Sequence, residues 1–397
     1  MINVLFVGSI YSDCLIELFK KNSKRGFQFA AQNLQESLIE GFSKNSVNLS
    51  VLSIPSLSTF PRSYKSPIVP NGEFIIHEHV LGKSIGYTNL PFMRFFLRNT
   101  DKIIETWYHS TNGKKIIFVY GMHEKLMRIA LKAKVKYLDV ELAIIVPDLP
   151  QYFGWNKYLK LLRVDRRTEL TLKKLIVDFD KVIVLSKHML EDLKLPSSIK
   201  TCVMEGIFSP ANNVSMVNKD SNKVILYTGN ISKRYGIELL LKAFSKIKDS
   251  NYRLWIRGNG DMIEFVKQAI LVDSRIRYLP PQPKNKLIEL QKKATILVNP
   301  VSPKLDFTKY FFPSKTMDYL ASGTPTIMYN LECLPEEYKP HLFFFKGETP
   351  DQVAEDLVNV CNLSEEELLI KGSRARKFIF EEKNAKKQVL KILNILN

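Results

Sequence analysis

The chain has 397 residues, room for two domains of roughly 150 residues or one large one. Its 45% apolar and 25% charged residues are those of an ordinary globular protein and exclude a mostly disordered chain, a collagen-like chain and a disulfide-stapled miniprotein. Lys plus Arg outnumber Asp plus Glu by 58 to 40, a formal charge of +18, which points to an anionic partner: nucleic acid, a phosphorylated substrate or an anionic membrane surface.

Met1 leads into NVLFVGSI, an apolar run too short and too poor in basic flanks for a leader, so a first strand is expected over 2–7. A helical pattern follows at 28–42 and a second strand at 48–54. Continuous apolar runs at 115–120, 141–146 and 181–185 read as buried parallel strands, separated by helical patterns at 124–134 and 160–176. Residues 209–222 (SPANNVSMVNKDSN) are polar without period and read as a linker. Strands then recur at 223–228, 253–257, 294–298 and 324–328, with helices at 237–248, 262–271 and 314–321 and a last basic amphipathic helix at 383–396. The fold class is therefore α/β, with two doubly wound domains and a ligand cleft expected between their strand ends.

The four cysteines (Cys14, Cys202, Cys333, Cys361) have no CxxC spacing, so reduced thiols are expected, with neither a zinc site nor a redox motif. His77, Glu78 and His79 find no third ligand in the pattern and read as surface residues. No apolar run approaches the ~20 residues that span a bilayer. A cytoplasmic protein is expected, with any membrane contact peripheral, on the inner face of the plasma membrane. No recognisable nucleic-acid module or stacking motif accompanies the positive charge.

The most informative segment is 306–325, DFTKYFFPSKTMDYLASGTP. Pro313 sits where a loop turns into a helix, and Ser314 is placed to cap it. A helix N-terminus plus the ammonium of Lys315 makes an anion site. Asp318, three residues on, lies on nearly the same face and suits a sugar diol such as a ribose. Together these parts fit a diphosphate with a ribose beside it.

This segment resembles the donor site of retaining GT-B glycosyltransferases of family 4, most closely their bacterial exopolysaccharide and capsule branch. Three further segments agree: YTGNISKRYG (227–236) resembles the phosphate loop opening the second domain, IRGNGD (256–261) its strand-to-helix turn, and VPDLP (146–150) an acceptor-side loop of the first domain. The resemblance implies a GT-B fold with an acceptor-side domain over 1–208, completed by a returning C-terminal helix at 381–397, and a nucleotide-sugar domain over 223–380. It implies that Gly229, Asn230, Ser232, Lys233, Arg234 and Gly258 line the phosphates or donor sugar. Pro281 and Gln282 would lie near the base, and Gly8 and Ser9 would face the diphosphate across the cleft. Asp148 falls on the acceptor side; His123, just after a strand end, is a second acceptor-side candidate. Of the family's acidic pair, the second member matches Asp318 and the first position holds Tyr310, with Asp306 the nearby substitute. A family histidine falls on Pro147, and a basic pair on Asn230 and Tyr235.

The chemistry expected is stabilisation of a departing nucleoside diphosphate by Lys315, Lys233 and Arg234 without metal or other cofactor, since no Asp-x-Asp motif is placed to hold one. The resemblance implies retention of anomeric configuration, a nucleotide-sugar donor with UDP ahead of GDP, and a glycan or polyprenyl-diphosphate-linked acceptor in surface polysaccharide synthesis. Segment 155–174, from Trp155 to Lys174, carries seven basic and two acidic residues and recurring Trp155, Tyr158, Leu159 and Leu162, which suits an anionic membrane; 91–98 (PFMRFFLR) would add to it. Two other readings stay open: a catalytically silent GT-B subunit that stabilises a partner transferase, and a nucleotide-sugar epimerase of similar fold.

Overall fold

A computed structural model describes residues 2–11, 13–24, 29–57, 60–77, 80–90, 100–153, 161, 163–210, 217–281, 284–310 and 312–397. The chain divides into two compact units, Met1–Ile207 with Ala385–Asn397, and Phe208–Asn384. Of the linker expected at 209–222, 211–216 lie outside the described residues. Its far end is pinned: the Lys219 ammonium donates to the Ala294 carbonyl at 2.6 Å and to Thr324 Oγ1 at 3.1 Å.

The first unit holds Ile2–Gly8 (β1), Asn48–Ser53 (β2), Ile68–Val69 (β3), Gly72–Ile76 (β4), Val80–Ser84 (β5), Tyr87–Thr88 (β6), Lys114–Tyr120 (β7), Val140–Val146 (β8), Lys181–Val184 (β9) and Lys200–Val203 (β10). Eight of these form one sheet in the order β10-β9-β8-β7-β1-β2-β5-β4, parallel throughout except the edge pair β4–β5. β1, β7, β8 and β9 are apolar on both faces because helices cover both. The C-terminal helix Ala385–Leu396 buries Val389, Ile392, Leu393 and Leu396 with Leu38 and Phe42 of helix Phe29–Lys44. Gly41 permits this approach: a Cβ there would overlap the Val389 side chain and the Ala385 carbonyl.

The second unit has Lys223–Asn230 (β11), Tyr252–Asn259 (β12), Ile276–Leu279 (β13), Ile296–Asn299 (β14), Thr326–Met328 (β15) and Phe343–Phe344 (β16), in the order β13-β12-β11-β14-β15-β16, all parallel. This is a Rossmann-like order, and it reverses between β11 and β14. The corresponding reversal in the first unit lies between β1 and β7. Ligands of open parallel sheets bind beyond the carboxyl ends of the strands at such a point.

Sequence reading found the central strands and most of the long helices between them, but not Asp13–Asn22, Lys187–Leu193 or Lys284–Lys293. It passed over the short edge strands, the helix Thr100–Ser110 and the pair Pro350–Cys361 and Glu365–Glu382, although Thr349 and Ser364 each begin a capping box. Of the helix expected over 160–176, Val164–Ile176 is observed, with Arg163 in a left-handed conformation (φ 55°) at its N-cap. Residues 154–160, 162 and 91–99 lie outside the described residues, and with them Trp155, Tyr158, Leu159, Leu162 and the 91–98 segment. Among the described residues no helix is long and apolar enough to cross a membrane.

Candidate functional site

In the second unit the strand-order reversal carries a built site. β11 ends in Thr228-Gly229-Asn230, and helix Ser314–Ser322 starts beside it. One side chain locks the two together: the Tyr319 hydroxyl accepts from the Thr228 amide at 2.8 Å and donates to the Thr228 carbonyl at 3.0 Å. That clamp brings Lys315, one turn earlier on the helix, over the end of β11. The N-cap of the helix is Pro313, with no side-chain cap; Ser314, expected to cap it, is instead its first residue. A proline cannot cap through a side chain, so the first amides of the helix are left without a side-chain partner.

Lys315 is the electrostatic centre. Its ammonium lies 4.2 Å from the centroid of the Tyr227 ring and donates to the Tyr227 hydroxyl at 3.2 Å; that hydroxyl in turn donates to the Asn230 carbonyl at 2.6 Å. Among the described residues no carboxylate pairs with it. The protein crowding the ammonium disfavours its charged form and lowers its pKa to about 7. Burial likewise pushes the Tyr227 phenol far up, so it stays a neutral hydrogen-bonding partner. A desolvated cation facing the Tyr227 and Tyr235 rings gains strongly from an incoming anion. Room for one exists because residue 229 is glycine: a Cβ there would come 3.2 Å from Lys315 Nζ, on a backbone with φ 139°.

The remaining predicted donor residues fall into three groups. Asn230 and Ser314 line, with Gly229, Tyr235, Val301, Phe307, Thr308, Pro313, Lys315 and Leu331, a pocket of about 190 Å³. Arg234 is exposed and stacks its guanidinium on Phe307 at 4.3 Å, at the edge of the same pocket. Ser232 is buried with its hydroxyl unpartnered, and so is the carboxamide of Asn299 at the end of β14; buried orphans at a strand end ask for a ligand or water.

A second group sits close by but is otherwise engaged. Lys233 is 81% exposed and its ammonium is 3.2 Å from Glu238 on the helix that follows, so part of its charge is spent there. Gly258 serves packing: β11 and β12 end in register at Gly229 and Gly258, and a Cβ on Gly258 (φ 149°) would overlap the Gly229 carbonyl. Asp318 is part-buried one turn beyond Lys315 and does not line the pocket. Neither does Asp306, exposed on a short 3-10 turn whose neighbours Phe307 and Thr308 face inward in its place. Pro281 is exposed just past β13; Gln282 lies outside the described residues.

The third group belongs to the first unit. The Ser9 amide donates to Gln35 Oε1 at 2.8 Å, and Gln32 satisfies both the amide and the carbonyl of Tyr11. A Cβ on Gly8 would meet the same Gln35 oxygen. Asp148 follows β8; solvent reaches it, yet enough protein surrounds the carboxyl to hold it above the usual carboxylate range, and its charge adds to the upward shift that burial gives Tyr120 at the end of β7. His123 is exposed at the start of helix Glu124–Lys136. On helix Val164–Ile176, Arg166, Arg167, Leu170 and Lys174 share one exposed face, continued by Arg163 and Val177 at its ends; Leu172 and Ile176 face inward. None of those four cations is ion-paired among the described residues.

Sequence reasoning missed Tyr227, Tyr235, Tyr319, Asn299, Phe307 and Leu331. Tyr227, Tyr235, Phe307 and Tyr319 stood inside recognised segments without being singled out; Asn299 and Leu331 stood outside them. A strand buried on both faces gives no periodic signal for which aromatic turns toward a ligand.

Residues 211–378 match the family described as Glycosyl transferases group 1. Whole-chain likeness extends to solved structures: sucrose-phosphate synthase from Thermosynechococcus elongatus (14% identity, TM-score 0.62, 99% of this chain and 98% of that one), Anabaena HepE in complex with UDP (12%, 0.63, 99% and 99%) and a glycosyltransferase from Rickettsia africae (15%, 0.63, 99% and 97%). The fold is GT-B. An uncharacterized glycosyltransferase of Methanocaldococcus jannaschii is 27% identical over 142 residues, 34% of this chain and 35% of that protein's length. The family match and the GT-B architecture together support a glycosyltransferase.

Proposed function

We propose that this chain transfers a sugar from a nucleoside-diphosphate sugar, a UDP-sugar first, to a glycan or polyprenyl-diphosphate-linked acceptor in bacterial surface polysaccharide synthesis. One observation carries the reading: an uncompensated, part-buried lysine, Lys315, at the strand-order reversal of a domain that matches Glycosyl transferases group 1. Cleavage of a sugar–diphosphate bond leaves charge on the diphosphate. Lys315 and the open helix N-terminus stabilise it as it develops, and Arg234 stands at the pocket's edge as a second cation. Asp318 holds the ribose. Retention of configuration follows from the family resemblance. UDP is favoured because HepE, of the same fold, has been crystallised with UDP.

On the first unit, Asp148 and His123 stand at strand ends where an acceptor would bind. The exposed Arg163, Arg166, Arg167 and Lys174 with Leu170 and Val177 dock on the anionic inner face of the plasma membrane, which brings a lipid-linked acceptor within reach. A silent-subunit reading draws on the absence, among the described residues, of any carboxylate in the lining of the pocket. Calorimetric titration with UDP, GDP and ADP, followed by assay for sugar release or transfer, separates the two. Selective nucleotide binding with turnover supports the transferase; no binding of any nucleotide sinks it.

A further inference from the structure

Two cations of this site rest on one pair of aromatic rings. Tyr235 ends the 3-10 turn Lys233–Tyr235 that follows β11, and Phe307 belongs to the 3-10 turn Asp306–Lys309 ahead of helix Ser314–Ser322. The rings meet edge to face, with centroids 6.4 Å apart and planes at 77°, and both line the pocket. The Arg234 guanidinium carbon lies 4.3 Å from the Phe307 centroid and 5.4 Å from the Tyr235 centroid. The Lys315 ammonium lies 5.6 Å from that same Tyr235 centroid. Tyr235 is thus a ring that both cations share. The neighbouring Lys233 is held differently: its ammonium turns to Glu238 at 3.2 Å, whereas Arg234 takes no carboxylate among the described residues.

The difference matters for an anion. An arginine on an exposed turn has many rotamers, and freezing one of them on a ligand costs affinity. A carboxylate partner would fix the side chain but also neutralise it, and the ligand would have to compete with that partner. An aromatic face holds a cation through the ring quadrupole and leaves its charge uncompensated. We propose that Tyr235 and Phe307 are positioning residues for the diphosphate: they hold Arg234 and Lys315 charged and preorganised at the pocket, and act on the leaving group through those two cations. This rests on the nucleotide-sugar reading given above.

The test is calorimetry on the full chain with UDP and with uridine, which keeps the nucleoside and lacks both phosphates; GDP and guanosine run in parallel. Tyr235→Leu should weaken the nucleoside diphosphate about 10-fold, and Phe307→Leu, which supports Arg234 alone, about fivefold, the size of single cation–π contacts. Each should leave the nucleoside within about twofold, which a general collapse of the site would not do. Tyr235→Phe keeps the ring and should restore diphosphate affinity to within about threefold of wild type. A cycle needs no Tyr235 variant: added to Arg234→Met, Phe307→Leu should cost less than about twofold, because the cation it positions is gone. If the wild type binds UDP or GDP while Tyr235→Leu binds it equally well, the proposal fails and the nucleotide reading stands. The same holds if nucleoside and nucleotide weaken together, if Tyr235→Phe is as weak as Tyr235→Leu, or if Phe307→Leu costs as much without Arg234 as with it. If the wild type binds neither nucleotide, both fail.

Discussion

Two strand-order reversals, one in each unit, have the same topology and opposite electrostatic finish. In the first unit the loop after β1 is closed by its own helix: Gln35 takes the Ser9 amide and Gln32 takes both backbone groups of Tyr11. In the second unit the equivalent ground is left open, with an ammonium facing a phenol, a helix start lacking a side-chain cap, and the buried Ser232 and Asn299 unpartnered. The first unit spends side chains to satisfy its strand end, and the second leaves its own unsatisfied, which is what the proposed diphosphate contact requires. The glycine-led loop after β1 resembled a phosphate contact by pattern; its Ser9 amide and both Tyr11 backbone groups are already engaged by Gln35 and Gln32.

The comparison can be broken most severely at the backbone. Gly258→Ala should destabilise the second unit by about 3 kcal/mol or more, since the new Cβ meets the Gly229 carbonyl on a left-handed backbone; a thermal melt unchanged from wild type would refute the packing role. Lys315→Met should lower nucleotide affinity by about 2–4 kcal/mol, some 30- to 1,000-fold, read by calorimetry. The same variant should melt no lower than wild type, because it removes a desolvated charge that has no carboxylate partner. A loss of stability with affinity preserved would reverse the assignment.

Gly41→Ala, at the contact with the C-terminal helix, should cost about 1–3 kcal/mol in the first unit and leave nucleotide affinity within about twofold.

The pH dependence sharpens the contrast further. With its pKa lowered to about 7 in the fold, Lys315 sheds its proton between about pH 7 and its ordinary 10.5 while the unfolded chain keeps it. The unfolded state then binds more protons, so this group adds stability to the empty protein as pH rises through that window. A bound diphosphate favours the ammonium, so nucleotide affinity should fall by up to about tenfold per unit as pH rises from 7 to 9, with net proton uptake on binding. Calorimetry in buffers of different ionisation enthalpy reads that uptake, and a flat profile would exclude Lys315 from the contact.

The last test concerns the basic face of the first unit. Reversing Arg166, Arg167 and Lys174 to Glu should weaken sedimentation with vesicles rich in anionic lipid by at least about 1 kcal/mol per residue. Binding that ignores vesicle charge would discard the membrane assignment.

Much of the architecture was legible in the sequence because its signals are local. Runs such as VLFV, IIFV and AIIV are apolar enough to demand burial on both faces, and the polar stretch from residue 209 separates two sets of them. The segment 306–325 announced Lys315 and Asp318 because a proline, a helix start and a lysine in that order have few structural uses together. Edge strands such as Phe343–Phe344 were not legible, since two residues carry no period.

The sequence by itself thus determined the GT-B architecture and the lysine at its centre. Only the tertiary structure decided what that lysine faces. Its hydrogen bond runs to Tyr227, 88 positions away, and the helix that carries it is held by Tyr319 bonding to Thr228 across 91. It also decided that Gly258 serves Gly229, that Asp306 turns outward while Phe307 and Thr308 turn in, and that Ser9 is already taken by Gln35. Local propensity is a property of neighbours along the chain. The desolvation of a charge and the pairing of a buried amide depend on which distant residues the sheet brings alongside, and no spacing in the sequence encodes that.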